Sequence, residues 1–379
     1  MVRILLAPNS FKGSATASQV IQLLRDAFTD LSHPGNIHLT ACPISDGGDG
    51  FLDIAAISLT ESKALTYSFS AYYDGSVDSA EVRYDERSKT VIIESARIIG
   101  LAKNQDKFPK PLHYNTFSIG DLIQKLFIER DSGELSFDRI VFGLGGSGTN
   151  DLGLGAASAF GLKIYDDQLN QLEVIPNNFD KIKSVVLPAK RSEVKIEVIH
   201  DVNIPLLGPD GPSLAFSRQK GATPEQALQM EHGNQNVIRL LSNRLNMPDL
   251  YKLNGAAGGL ALGLSLVFDL TFRSSREFLM DDLRIEDKIV ENDLIITGEG
   301  RFDRQSLMEK GPGILMELCR KHRKEFILIC GENELKGESV LYGEFVELRE
   351  AGESLESAIL RFPERLRSVV KDIISKSKI

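Results

Sequence analysis

The chain has no tryptophan, six methionines, six histidines and only three cysteines among its 379 residues. Cys42, Cys319 and Cys330 are an odd number at wide spacing, without a C-x-x-C pair or a Cys/His group, so a disulfide scaffold and a structural zinc site are excluded. A reducing, cytoplasmic setting is expected. An excess of positive charge is also lacking: 44 Lys and Arg stand against 53 Asp and Glu, a net charge of −9. A broad basic surface for nucleic acid or anionic lipid is therefore not expected, and a bound anion has to be held locally. No apolar run is long enough to span a bilayer; Leu253 to Phe268 is short and rich in glycine, which suits a packed helix closely approached by its neighbours. The start, Met1 to Pro8, is too short in its apolar part for a secretory signal and reads as a buried strand.

What remains is an ordinary globular composition, 42% hydrophobic and 26% charged, at a length that implies two domains. Ile4–Ala7 predicts a strand, and Ala17, Val20, Ile21, Leu24, Ala27 and Phe28 recur at helical spacing behind a Thr16/Gln19 capping box. Strand, polar loop and amphipathic helix open a parallel α/β unit, with the loop at the strand's carboxyl end, where such folds place ligands. The same grammar returns late. Asp293–Thr297 predicts a strand, Gly298-Glu299-Gly300-Arg301 a loop, Ile314–Cys319 a helix, Phe326–Cys330 a strand, and Leu355–Ile374 one closing helix. The middle differs, with alternation over Tyr72–Glu94 and an apolar Ile140-Val141-Phe142 running into glycines. The fold class expected is α/β with two different domains. One is a Rossmann-like parallel-sheet domain from both termini, residues 1–70 and 284–379. The other is an inserted mixed α/β domain, 71–283, with the active site in the cleft between them.

Four loops concentrate chemistry. Gly143-Leu144-Gly145-Gly146-Ser147-Gly148 fits G-x-G-x-x-G between a strand and the Ala-rich segment 156–160, with Asp166 and Asp167 beyond. Alone it fits a tight turn, or the dinucleotide site of an NAD-dependent dehydrogenase. Gly145, Gly146, Ser147, Thr149, Asn150 and Asp151 together suit a phosphate cradle built from backbone N–H groups, hydroxyls, an amide and a carboxylate. Ser45-Asp46-Gly47-Gly48-Asp49-Gly50 offers either an Asp-Gly turn before a helix or, through Asp46, a base or a magnesium ligand. His200-Asp201-Val202-Asn203 ends a strand in a carboxylate and an amide; His200 itself reads as a satisfied, partly buried histidine. In Thr297–Asp303 three charges share a strand end: Arg301 suits a phosphate or carboxylate, and Glu299 and Asp303 suit magnesium. Lys12, after the first strand, is placed to meet an anion. Acid-bearing glycine loops at strand ends describe phosphoryl transfer, which needs charge neutralisation and positioning more than covalent help. Yet G-x-x-x-x-G-K-[ST] and the protein-kinase signatures are missing.

Taken together the motifs resemble the bacterial glycerate kinase family that includes the glyoxylate-pathway enzymes. Pro8-Asn9-Ser10-Phe11-Lys12-Gly13-Ser14 is similar to P-D-S-F-K-G-S, Ser45–Gly50 to A-D-G-G-E-G, and Gly145–Asp151 to G-G-S-A-T-N-D. Asp201–Gly208 is similar to D-V-x-N-P-L-x-G, Gln219-Lys220-Gly221-Ala222 to Q-K-G-A, and Gly255–Gly259 to G-A-A-G-G. Thr297–Asp303 with Gln305, Lys310 and Pro312 is similar to T-G-E-G-x-x-D-x-Q-(T/S)-x-x-x-K-x-P. The resemblance implies transfer of the γ-phosphoryl group of ATP to D-glycerate with magnesium, mostly at the 2-hydroxyl, and a homodimer is an assembly compatible with it. Asp201 or Asp46 is then the base, and Lys12 and Arg301 meet the phosphate or the substrate carboxylate. Departures point to two alternatives, a kinase for another small hydroxy acid or a non-catalytic metabolite-binding paralogue: Asn9 stands where the family usually has Asp, Ser118-Ile119 replaces Gly-Thr, and Met308-Glu309 replaces His-Gly.

Overall fold

The computed structural model describes residues 1–33, 35–59, 61–103, 109–200, 204–245, 253–304, 306–307, 310–338 and 341–377. Two compact units emerge: residues 1–46, 53–58 and 274–379 form one, and 47–52 with 59–273 form the other.

The first unit is built on a five-stranded parallel sheet in the order 344–347, 325–333, 294–302, 2–8, 37–41. An inner strand, Val2–Pro8, carries Ile4, Leu5, Leu6 and Ala7 without exposure, because a parallel sheet is covered on both faces. Ile4, Leu6, Leu294 and Ile296 share one face and meet Val20, Leu24 and Phe28 of the helix Ala17–Leu31. The capping box is present: Thr16 Oγ1 accepts from Gln19 N, and Gln19 returns a bond to Thr16 N. The closing helix is two, Leu355–Leu360 and Phe362–Ser377, parted at Arg361. Pro363 has no N–H to give to the carbonyl four residues back, so one continuous helix is not available.

Thr297–Phe302 is not the flexible loop expected from its glycines. Leu294–Phe302 is one strand, in register with Glu325–Asn333 as far as Arg301 opposite Glu332 and Phe302 opposite Asn333. The glycines here serve close approach: a Cβ on Gly331 would lie 2.4 Å from the Gly300 carbonyl.

The second unit holds a six-stranded sheet in the order 268–274, 191–200, 139–143, 90–94, 77–85, 62–70. The strands 191–200, 139–143 and 90–94 are parallel, whereas 90–94, 77–85 and 62–70 run antiparallel. Pairing of Ser62–Ser70 with Val77–Asp85 therefore places residues 62–70 in this unit instead of the terminal one, where sequence alone had put them. Phe127, stacked on Phe268, anchors the helix Phe117–Ser132 in its core. The apolar stretch after Leu253 gives the helix Ala256–Ser265, which Gly153 approaches so closely that a Cβ on Gly263 would lie 1.8 Å from the Gly153 carbonyl. Among the described residues no helix is long and apolar enough to cross a membrane.

Candidate active site

In the first unit Asn9, Asp46, Glu299, Asp303 and Ser306 come together from four segments. Asp46 is gripped on both oxygens: Asn9 Nδ2 donates to Oδ2 at 2.7 Å and Gly311 N donates to Oδ1 at 2.7 Å. Gly311 opens the helix Gly311–His322, so its N–H is one of the unfilled donors of a helix start and favours a carboxylate. Asn9 is itself oriented, since its Oδ1 accepts from Ser10 N at 2.7 Å.

Glu299 projects from the strand 294–302 into this cluster and is 8% exposed. Burial, and then the field of Asp46, push its carboxyl up to about 8, against a hydrogen bond from Ser306 and the pull of Lys310. Its Oε1 has no hydrogen-bond partner among the described residues. A buried acceptor without a donor, beside a second carboxylate, calls for a proton or a cation. Among the described residues no group of three or more His, Cys, Asp or Glu side chains is placed to hold a metal unaided. Glu299 beside Asp46 and Asp303 is nevertheless a donor set that magnesium in a phosphate complex could use, since that ion needs one or two carboxylates and takes the rest of its oxygens from water and phosphate.

Asp303 accepts from Ser306 N at 3.4 Å and lies 3.7 Å from Arg301 Nε. Arg301 is exposed and pairs chiefly with Glu334. Lys12 is exposed on the loop between Pro8 and Thr16, whose backbone runs along Gly300. Asp201 and Gln305 lie outside the described residues.

The second unit carries the glycine loop. Gly143 and Gly145 pack closely on the backbone of Gly47 and Gly48: a Cβ on Gly145 would lie 2.5 Å from Gly48 Cα. Two consecutive residues at the end of the strand 90–94 clasp both loops. Glu94, buried, accepts from Gly50 N at 3.0 Å and Leu52 N at 2.9 Å, while Ser95 Oγ bonds the Gly145 carbonyl at 3.2 Å. Asp46 and Asp49, three residues apart, thus serve different units, Asp46 beside Asn9 and Asp49 beside Gly146.

Asp151 is fully buried and its carboxylate is filled. Oδ2 accepts from Thr116 N, Thr116 Oγ1 and Gly155 N at 2.8, 2.8 and 2.9 Å, and Oδ1 accepts from Gly153 N at 3.3 Å. Thr116 Oγ1 in turn accepts from Ala156 N at 2.9 Å. The first N–H groups of the helix Leu154–Ala159 are therefore satisfied from within the protein, and Asp151 caps that helix start. The same arrangement disfavours a dinucleotide site, since the pyrophosphate would need that helix start. Asp166, a candidate ribose partner by spacing, closes its own turn by accepting from Gln168 N and Asn170 N. Ser147, Thr149 and Asn150 are all buried, and the Thr149 Oγ1 and Asn150 Oδ1 atoms have no hydrogen-bond partner among the described residues. His200 is satisfied through its Nδ1, 3.1 Å from Asn254 Nδ2.

Three participants were not singled out by sequence. Ser306 stood at the (T/S) position of a recognised motif. Lys220 lay in the quoted Q-K-G-A segment; its ammonium donates to the Thr149 carbonyl at 2.6 Å and to Ser147 Oγ at 3.4 Å. Glu94 ended an apolar strand and gave no local signal.

A 31% identical protein of Neisseria meningitidis serogroup B, named glycerate kinase, aligns over 318 residues, 82% of this chain and 81% of its own length. The glycerate 2-kinase of Escherichia coli K12 is 29% identical over 87% of this chain and 85% of its own. A crystal structure of a glycerate kinase 2 candidate from Salmonella typhimurium LT2 superposes with a TM-score of 0.76 at 27% identity, covering 100% of this chain and 98% of that one. Residues 4–378 match the glycerate kinase family, a family of enzymes that phosphorylate glycerate and use a nucleotide to do so, and the chain belongs to it.

Proposed function

We propose that the protein transfers the γ-phosphoryl group of ATP to the 2-hydroxyl of D-glycerate, giving 2-phosphoglycerate and ADP. The oxygen of the hydroxyl forms the new bond to phosphorus, the bond from the γ-phosphorus to the bridging oxygen breaks, and the hydroxyl proton passes to a carboxylate. Asp46 is the described residue best suited to receive it, because Asn9 and Gly311 fix the orientation of its carboxylate. Asp201 is the other candidate base. Glu299 and Asp303 would hold magnesium, which when bound neutralises phosphate charge. Lys12 and Arg301, both exposed, would meet phosphate or the glycerate carboxylate. The loop from Gly145 to Asn150 would face the nucleotide phosphates.

The observation that carries this reading is the buried Glu299 with its idle Oε1 beside Asp46, within a chain of this family. The three cysteines, buried and unpaired, agree with a cytoplasmic setting, and a homodimer is the assembly to look for by light scattering. The test supplies ATP, magnesium and D-glycerate, follows ADP release and feeds the product to enolase, which accepts the 2-phosphate alone. ADP release that depends on D-glycerate, with a product enolase converts, is expected. Asp46→Asn should lower kcat about 10²- to 10⁴-fold; an equal loss in Asp201→Asn with Asp46→Asn unchanged would move the base to Asp201. ADP release no greater with D-glycerate than without it would overturn the assignment.

A further inference from the structure

Lys220 lies in the turn Arg218–Lys220 and is 6% exposed. Two of its three N–H groups are used, on the Thr149 carbonyl and Ser147 Oγ. Both acceptors are neutral. Among the described residues no carboxylate lies within ion-pair distance of Nζ, and Asp151, the charged group that faces it, already has its oxygens filled by Thr116, Gly153 and Gly155. A buried cation without a counter-charge is unfavourable, and the ammonium is pushed down to about 8 by burial, with Asp151 opposing. Beside it Thr149 Oγ1 and Asn150 Oδ1 are buried without hydrogen-bond partners among the described residues. The loop thus holds an unneutralised positive charge and a hydroxyl free to donate. Both features suit an anionic oxygen.

We propose that Lys220, together with the Thr149 hydroxyl, binds an anionic oxygen of a ligand at the Ser147–Asn150 loop, the ligand supplying the negative charge that the protein does not. This rests on the phosphotransfer reading for the identity of the ligands, the two candidates being a phosphate of the nucleotide and the carboxylate of glycerate. Binding of either stabilises the charged lysine, so ligand uptake above neutral pH brings a proton with it.

The experiment is calorimetric binding to the whole protein at pH 8.5, in two buffers of different ionisation heat, with ADP alone and with D-glycerate alone. The wild type should take up a fraction of a proton with one of the two, and that ligand identifies the source of the oxygen. Lys220→Met should bind the same ligand about 10- to 100-fold more weakly, with no proton uptake, and its thermal unfolding without ligand should be unchanged or raised. A lysine serving only to pin the loop predicts the reverse, a less stable variant with unaltered binding. If Lys220→Met does not fold, the wild type still decides: its affinity should fall by up to about tenfold per pH unit above pH 8. Proton uptake with neither ligand, or affinity flat from pH 7.5 to 9.5, overturns the proposal. Proton-coupled ADP binding without glycerate phosphorylation would leave Lys220 in place and remove only the substrate assignment.

Discussion

Replacing Asn9 by Asp tests the logic of the acidic cluster, because it restores the residue the family usually carries and sets two carboxylates against each other. The Asn9 amide now donates to Asp46 at 2.7 Å. The variant loses that charge-assisted bond, worth about 1.5–3 kcal/mol, and two unit charges about 3 Å apart repel by about 5 kcal/mol at an effective dielectric of about 20. Protonating one of the two acids is the less costly escape. Starting from an ordinary carboxyl near 4, that costs about 4 kcal/mol at pH 7 and about 1.5 kcal/mol at pH 5, less whatever the shared proton regains as a hydrogen bond. The folded pKa is raised, so the penalty grows as pH climbs above the unfolded value and vanishes as pH falls. Urea unfolding of Asn9→Asp and wild type at pH 5, 6 and 7 should therefore show a deficit of about 3 kcal/mol at pH 7 that halves or better by pH 5. Millimolar magnesium should shrink the deficit at pH 7 if the cluster takes the cation. Equal stability of the two proteins across this range would refute the contact between Asn9 and Asp46.

Other outcomes follow from the same geometry. Glu94→Gln turns one acceptor of the Gly50 and Leu52 N–H groups into a donor, and should cost about 1–3 kcal/mol in urea unfolding; a loss under about 0.5 kcal/mol would mean that the clasp is slack. A Cβ on Gly148 would lie 2.2 Å from the Tyr72 hydroxyl oxygen, so Gly148→Ala should lower the melting temperature by several degrees, and adding Tyr72→Phe should recover part of that; no recovery would locate the strain elsewhere. Glu353, bonded first to Arg365 and then to Ser357, is held down to about 2, so its contribution is complete above about pH 5 and is lost as pH falls towards 2. Glu353→Gln should flatten that part of the acid-unfolding curve, and an unchanged curve would argue against it.

Local signals in the sequence were enough for features governed by neighbours along the chain. The Thr16/Gln19 box, the helix it starts and the buried strand Val2–Pro8 are of this kind. Features that depend on partners far along the chain were not legible. Glu94 meets Gly50 from 44 residues away, and Lys220 reaches Thr149 from 71 away, so neither leaves a periodic trace. Asp151 reads as a ligand in sequence because it ends a glycine-rich loop; only the positions of Thr116 and Gly155 show that its oxygens are already taken. The glycines of Thr297–Phe302 suggested flexibility because their local preference is weak, and pairing with Glu325–Asn333 overrides it. The break before Pro363 was visible in principle, but the apolar periodicity on either side concealed it.

That last strand has a consequence for how the protein tolerates change. Thr297, Glu299 and Arg301 share one side of a ladder fixed residue by residue, with Glu299 opposite Cys330 and Arg301 opposite Glu332. Substitutions there alter one side chain at a time. Deleting or inserting a single residue would instead turn every later side chain to the opposite face, exchanging the carboxylate for Gly298 or Gly300. Lineages of this chain can therefore drift in residue type along the segment, but its length upstream of Asp303 is fixed, and loop-length variation has to be accommodated beyond Phe302.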